Sequence, residues 1–339
     1  MRRNVTVKEI ASVLGLSQPA VSQVLNGTGR ISAQTRQRVF ATAETMGYRP
    51  NASARAVVTR KTRQVGVLVL NNPSDPATFP HTYYTILGMN MALEAAGYVL
   101  CLVRLGDVEH SIEGHSRVFR EHVLDGVIVT TQLPARLSAR IQELVPRCVW
   151  ADTNEWEKTR CIRRDEFDVG RRVGEQVVAA GYKEIIYLSE MPHGWAPLLH
   201  YSHIDRGEGL ASICRDAGIA FSTIQTTWIW TQAFSDRLNP QLRPDVAVVA
   251  SDTFRARLVQ QSAALGKLLI GQDFGLACCD LVGDVTYTWP GLSGMLFDRI
   301  ELGGRSAEMM LAILESGDQE PASVALKSAW YPGTTLARR

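Results

Sequence analysis

Short apolar runs recur along most of the chain, each followed by a stretch with helical spacing. "VGVLVL" (65–70), "YVLCLVRL" (98–105), "GVIVTT" (126–131) and "CVWADT" (148–153) form a first series. After a helical stretch at 163–182 come "EIIYLSE" (184–190), "AFSTIQT" (220–226), "VAVVAS" (246–251) and "LLIGQDF" (268–274). Runs so continuously apolar read as strands buried on both faces, which is how parallel sheets covered by helices are built. Two series predict an α/β body of two doubly wound, parallel-sheet lobes, with ligands expected at the carboxyl ends of the strands. A cleft between lobes is a favoured place for a small molecule. Trp228, Trp230 and Trp289 follow strand-like runs at the expected cleft mouth, with Trp228 favoured to stack on the apolar face of a sugar ring.

The first 63 residues are of another kind. They hold eleven cations against two acids, a net charge of +9, which leaves −7 for the rest of a chain whose total is +2. A basic head on a mildly acidic body is the electrostatic footprint of nucleic-acid binding. Thr6 to Glu9 reads as a capping box, and Val7, Ile10, Ala11 and Leu14 make one buried stripe ending at Gly15. Ser17 caps a second helix with Gln18 and Pro19 in its first turn, and Val21, Val24 and Leu25 are its apolar side. Ser32 caps a third, with Val39, Phe40, Ala43 and Met46 expected to face the core. The first two helices, joined by so short a turn, form a helix-turn-helix. Burial leaves Gln18, Ser22 and Gln23 outside, where the start of a recognition helix meets base edges. Glutamine can pair bidentately with adenine, whereas Ser17 and Ser22 suit phosphate.

The stretch "TVKEIASVLGLSQPAVSQVLNGTGRISAQTRQRVFATAETMGYRPNASARAVV" resembles the head of the lactose-repressor (LacI/GalR) family of bacterial transcription regulators. The resemblance implies that Gln18, Pro19 and Gln23 choose the operator and that Ser17, Ser22 and Asn26 contact the backbone, with Thr6, Ala20, Arg30 and Tyr48 as further expected DNA-binding residues. It implies a hinge at 49–63 in which Asn51, Ser53, Ala54, Arg55 and Val57 form a helix that orders on DNA, Val57 standing where relatives offer leucine. So short a segment cannot hold a helix alone. The body is similar, more loosely, to the family's effector-binding core, itself like a periplasmic sugar-binding protein. On that likeness Arg206 grips effector oxygens and Asp273 accepts from the ligand. His81, Thr82, Thr130, Ser202, Ser251 and Phe297 are further contacts, with Ser251 replacing the usual asparagine. The expected partners are double-stranded operator DNA, a small-molecule effector of carbohydrate type and a second copy of the chain.

The expected organisation is a head at 1–48, the hinge, and a core at 64–339. Lobe 1 is expected to span about 64–161 plus 293–318, and lobe 2 about 162–292 plus 319–339. No catalytic residue, metal ligand or cofactor is expected. "QDFGL" (272–276) lacks the phosphate loop and partner lysine of a kinase, and "ALGKLL" lacks the rest of a P-loop. The six cysteines have neither metal-ligand spacing nor a small disulfide framework. With no apolar run near the roughly 20 residues of a membrane span and no signal peptide, a cytoplasmic regulator is expected. Two alternatives stay open on sequence: an architectural DNA-binding protein without an effector, and a solute-binding protein.

Overall fold

The computed structural model describes residues 5–49, 56, 59–69, 78–104, 121, 123–191, 199–227, 229–282, 291–316 and 320–337. The chain forms two compact units, Met1–Thr62 and Arg63–Arg339.

In the first unit, helices α1 (Val7–Leu14), α2 (Gln18–Leu25) and α3 (Ala33–Thr45) enclose a core of Ile10, Ala11, Val21, Val24, Val39 and Ala43. Each helix start is built by its cap. The Thr6 amide donates to Glu9 Oε2 at 2.7 Å and Glu9 N returns a bond to Thr6 Oγ1 at 3.3 Å. Ser17 Oγ accepts from Ala20 N at 3.3 Å, with Pro19 in the first turn, where its missing N–H leaves nothing unpaired. Gly15 closes α1 in the left-handed conformation. Phe40 departs from expectation: it is exposed, because one step along α3 from Val39 turns it out of so narrow a buried face.

The second unit contains two six-stranded sheets. The first comprises β1 (Gln64–Val69), β2 (Val99–Arg104), β3 (Gly126–Val129), β4 (Cys148–Ala151), β5 (Cys161–Arg164) and β11 (Val324–Leu326), in the order β11-β5-β4-β3-β1-β2, every pairing parallel. The second comprises β6 (Glu184–Glu190), β7 (Ala220–Thr226), β8 (Val246–Ala250), β9 (Gly275–Leu281), β10 (Ser293–Leu296) and β12 (Ala329–Tyr331), in the order β12-β10-β9-β8-β6-β7. Only β12 runs antiparallel to its neighbour, on an edge. Helices α4 (Thr78–Ala95), α5 (Ala135–Leu144) and α10 (Arg299–Ser316) pack on the first sheet; α6 (Glu166–Ala179), α7 (Tyr201–Ala217), α8 (Gln232–Leu238) and α9 (Thr253–Leu265) pack on the second. Both sheets are apolar on both faces, with separate buried clusters on each side.

Three sequence expectations are corrected here. Strand β10 belongs to the second sheet and β11 to the first, so 293–296 leaves the expected lobe 1 and 324–326 the expected lobe 2. The chain crosses between lobes after β5, after β10 and after β11. β5, "CIRR", is a strand whose last two residues fall in the stretch 163–182 that the sequence presents as helical; it is too short and too charged to show as a strand. "LLIGQDF" is not a strand. A turn with Gly271 at φ 87 occupies it, and the strand is β9, beginning at Gly275.

Helix pairing inside each lobe depends on glycine. A Cβ on Gly303 would lie 1.9 Å from Thr85 O, which sets how closely α10 crosses α4. In the other lobe a Cβ on Gly170 would lie 2.2 Å from Arg206 O, so α6 touches the backbone of α7 at Arg206 itself.

Candidate functional site

On the head, Ser17, Gln18 and Pro19 are exposed at the start of α2, and Gln23 is exposed one turn later. Ser22 Oγ accepts from Asn26 Nδ2 at 3.3 Å, so these two polar groups are paired along the same face. Thr6 and Arg30 are exposed, while Tyr48 is half-buried against the core. The N-terminal dipole of α2 and its paired Gln18 and Gln23 offer donors and acceptors suited to a groove and its phosphates. Asn51, Ser53, Ala54, Arg55 and Val57 lie outside the described residues, as do Trp228 and Trp289.

In the body, the strand ends and interlobe crossings assemble a buried ion network. Arg206, projecting from α7, donates Nε and Nη2 to the two oxygens of Glu166, both at 2.6 Å, and Nη1 to Ser251 O at 2.7 Å. Its Nη2 also lies 3.3 Å from Asp280 Oδ2. Arg164, the last residue of β5, clamps Asp152 with Nε and Nη2 at 3.2 and 3.1 Å. Its Nη1 reaches Glu166 and Asp280, each at 2.8 Å. Arg299, the first residue of α10, places Nη2 at 2.7 and 2.8 Å from the two oxygens of Asp280. Three arginines thus converge on Asp280 at the carboxyl end of β9. Arg164 and Arg299 come from the first lobe, Asp280 and Glu166 from the second, so the network ties the lobes together. Tyr201 adds to the tie: its hydroxyl donates to Asp152 Oδ1 at 2.6 Å and accepts from Arg164 N at 3.0 Å. Burial would raise the Asp152 carboxyl, but Arg164, His200 and the Tyr201 hydroxyl hold it well below the usual range. Burial also opposes charge on Arg164 and Arg206, yet the carboxylates around them keep both firmly protonated.

A second cluster lies at the ends of β6 and β8. Arg255 bonds Asp252 and lies 3.2 Å from Glu190, whose other oxygen is 3.1 Å from His203 Nε2. Burial raises the Asp252 carboxyl, but Arg255, His203 and a hydroxyl bond from Ser251 take it down to about 2.

The structure brings some of the sequence-derived effector residues to this place and removes others. Arg206 is there, but every guanidinium nitrogen is engaged with protein. Ser251 is there through its carbonyl, its hydroxyl donating to Asp252 at 2.9 Å. Ser202 is buried in the first turn of α7 and pairs with His200 Nδ1 at 2.8 Å. Phe297 lies on the second crossing, its ring 5.5 Å from the Arg164 guanidinium. Thr130 sits at the end of β3 with its hydroxyl donating to Leu68 O at 2.9 Å. Thr82 is half-buried in the first turns of α4, and the His81 side chain lies outside the description. Trp230 points away, its Nε1 donating to Ser235 and its ring packed on a core. Asp273 is corrected: it precedes β9, at the amino end of the sheet, and accepts from Leu269 N at 2.7 Å. The aspartate at the carboxyl end of that strand is Asp280. The misread strand caused the error, since taking 268–274 as a strand puts Asp273 at a carboxyl end. Arg164, Glu166, Asp280 and Arg299 were missed. A charged residue closing an apolar run, as Asp280 closes "GLACC", was the available signal. An open groove beside edge strand β7, lined by Thr223, Gln225, Arg237 and Gln241, shares no residue with either cluster. Among the described residues no group of His, Cys, Asp and Glu could hold a metal, and no helix is long and apolar enough to cross a membrane.

A helix-turn-helix head followed by a two-lobed α/β core is the architecture of a DNA-binding transcription regulator. Comparison with known proteins agrees. Residues 6–51 match the model of bacterial regulatory proteins, lacI family, and residues 175–336 that of the periplasmic binding protein-like domain. The head thus carries a lacI-family DNA-binding domain, and much of the body a periplasmic binding protein-like domain. The transcriptional regulator PtxS of Pseudomonas aeruginosa is 25% identical over 99% of this chain and 96% of its own. The HTH-type transcriptional repressor PurR of Escherichia coli O139:H28 is 23% identical over 94% of this chain and 93% of its own. The fold matches the lac repressor dimer bound to operator and an anti-inducer, with TM-score 0.80, 19% identity, and coverage of 99% of this chain and 100% of that one. It also matches the CelR–cellobiose complex, with TM-score 0.68, 20% identity and 98% and 100% coverage.

Proposed function

We propose that this regulator is a homodimeric repressor of a carbohydrate-use operon, working in the cytoplasm on the nucleoid. Each head reads one half of a near-palindromic operator, and two-fold symmetry in the protein is mirrored in the DNA. Gln18 and Gln23 supply base contacts; Ser17 and Ser22 position the helix on phosphate. A small molecule of sugar type in the interlobe cleft alters operator affinity, because it interacts differently with two dispositions of the lobes. The observation that carries this reading is the pairing of an exposed, glutamine-bearing helix α2 on a basic head with charged groups gathered at the carboxyl ends of strands from two lobes. The lac repressor fold match and the cellobiose-bound CelR support it by analogy of fold. Exposed apolar residues support the dimer: Val99 and Leu102 on edge strand β2, and Tyr83 and Met91 on α4.

The test is selection of DNA fragments from a random pool by the full chain, with and without candidate sugars. The expected result is a two-fold symmetric site whose occupancy changes with one ligand. Binding without sequence preference at physiological ionic strength would discard the reading.

A further inference from the structure

The three arginines of the ion network are not equivalent. Arg164 commits Nε and Nη2 to Asp152 and Nη1 to Glu166 and Asp280. Arg206 commits Nε and Nη2 to Glu166 and Nη1 to Ser251 O. Arg299 commits Nη2 alone, to Asp280; among the described residues its Nε and Nη1 make no hydrogen bond. Yet Arg299 is only 7% exposed and sits at an interlobe crossing beside the other two. A guanidinium carries five N–H donors in a fixed plane. The carboxylates near it are already shared: Asp280 among three arginines, Glu166 between two, Asp152 between Arg164 and Tyr201. Among the described residues no acceptor meets the remaining donors of Arg299. The groups that best meet planar guanidinium donors are carboxylate and phosphate, whose charge-assisted bonds are about twice as strong as those to a neutral hydroxyl.

We propose that the effector of this cleft carries an anionic oxygen group, carboxylate or phosphate, and that Arg299 is the residue that selects it. This rests on the regulator reading above and deepens it. The consequence for the lobes follows from charge. Arg164, Arg206 and Arg299 balance Asp152, Glu166 and Asp280, so an added anion meets no surplus of positive charge. It draws on the guanidinium that holds Asp280 and repels that carboxylate at short range. The Arg299–Asp280 pair joins α10 of one lobe to β9 of the other, so ligand entry weakens an interlobe bond. An uncharged sugar bound to the same cleft would leave that bond as it stands.

The experiment uses the full chain and three probes at constant ionic strength: inorganic phosphate, gluconate and the neutral polyol sorbitol. Thermal unfolding reads binding. The basic head also attracts anions, so the decisive quantity is the difference between wild type and Arg299→Lys, which keeps the charge beside Asp280 and loses the planar fork. Arg257→Met, at an exposed cation of α9, is the charge control. The expected result is a rise in wild-type midpoint with phosphate or gluconate, none with sorbitol at equal concentration. Arg299→Lys should need at least tenfold more anion for the same rise, and Arg257→Met should behave as wild type. Phosphate and gluconate compared with each other tell which anion the cleft prefers. Equal protection by sorbitol, no protection by either anion, or an unaltered response in Arg299→Lys overturns the inference. Operator binding measured alongside keeps the two readings apart: a chain that binds operator specifically but ignores both anions loses this inference and keeps the regulator assignment.

Discussion

Asp280 accepts from three guanidiniums and is almost wholly buried, and among the described residues no other carboxylate of the body has so many guanidiniums depending on it. Removing one member of a buried ion network leaves its partners uncompensated, at a cost of about 3–5 kcal/mol. Asp280→Asn should therefore lower the urea midpoint by a margin of that order. Asp273→Asn, which loses a single bond to Leu269 N on a turn, should cost about 1 kcal/mol or less. A reversed order of the two midpoints would return the site to Asp273. On the head, the exposed Gln23 side chain has no hydrogen-bond partner among the described residues, so Gln23→Ala should leave thermal stability unchanged. It should weaken the preferred operator by about 1–3 kcal/mol and relax preference at one base pair of each half-site, read by selection and band shift. Asp252 gives the acid limb. Its folded pKa of about 2 lies below the ordinary carboxylate value, so the stability it contributes is whole above about pH 4 and lost as pH falls through about 2. That contribution is about 2 kcal/mol by linkage, and Asp252→Asn should flatten stability against pH across this window.

Helices α6 and α7 approach until Gly170 touches the backbone of Arg206, and Gly209 likewise meets Phe167 O at 2.3 Å from its notional Cβ. A methyl there cannot be absorbed by a flexible side chain, because the obstacle is a carbonyl. Gly170→Ala should cost about 1–3 kcal/mol as overpacking. It should also shift Arg206 against Glu166 and so blunt any ligand response more than a surface Gly304→Ala, where nothing lies within 4 Å. Elements of this kind were unevenly legible in the sequence. The capped helices of the head were plain, because caps, stripe and stop are all local to a dozen residues. Most strands were plain too: 184–190 and 220–226 fall where the apolar runs put them. β5 was hidden because two of its four residues are arginines whose charge is met by residues far along the chain. Arg164 and Asp280 are 116 residues apart, and Arg206 and Glu166 are 40 apart. No periodicity reports such a meeting; it exists only once two sheets and three crossings are folded. β10 and β11 were assigned to the wrong lobes for the same reason, since strand order is a property of the folded sheet.

Across the whole molecule, charge and exposure divide the labour. Residues 1–63 carry +9 and the remainder −7, so attraction to a polyanion is confined to one end of the chain and repulsion keeps the body off it. On the proposed function, specific grip on a symmetric operator depends on presenting two heads at once, because the second half-site is bound at high effective concentration once the first is engaged. The outer strand β2 leaves Val99 and Leu102 each about three-fifths exposed, and an apolar edge strand left bare invites association. Covered by a second copy, it would hold the heads as a pair. Val99→Glu with Leu102→Glu buries no charge in the monomer, so the subunit fold should survive, with unfolding still cooperative. Sedimentation should show the dimer replaced by monomer at micromolar concentration. Operator affinity should fall by roughly a hundredfold or more, as avidity is lost, while binding of a single half-site stays unchanged. A double variant that remains dimeric would move the interface away from β2, and full operator affinity from a monomer would remove the need for a second copy.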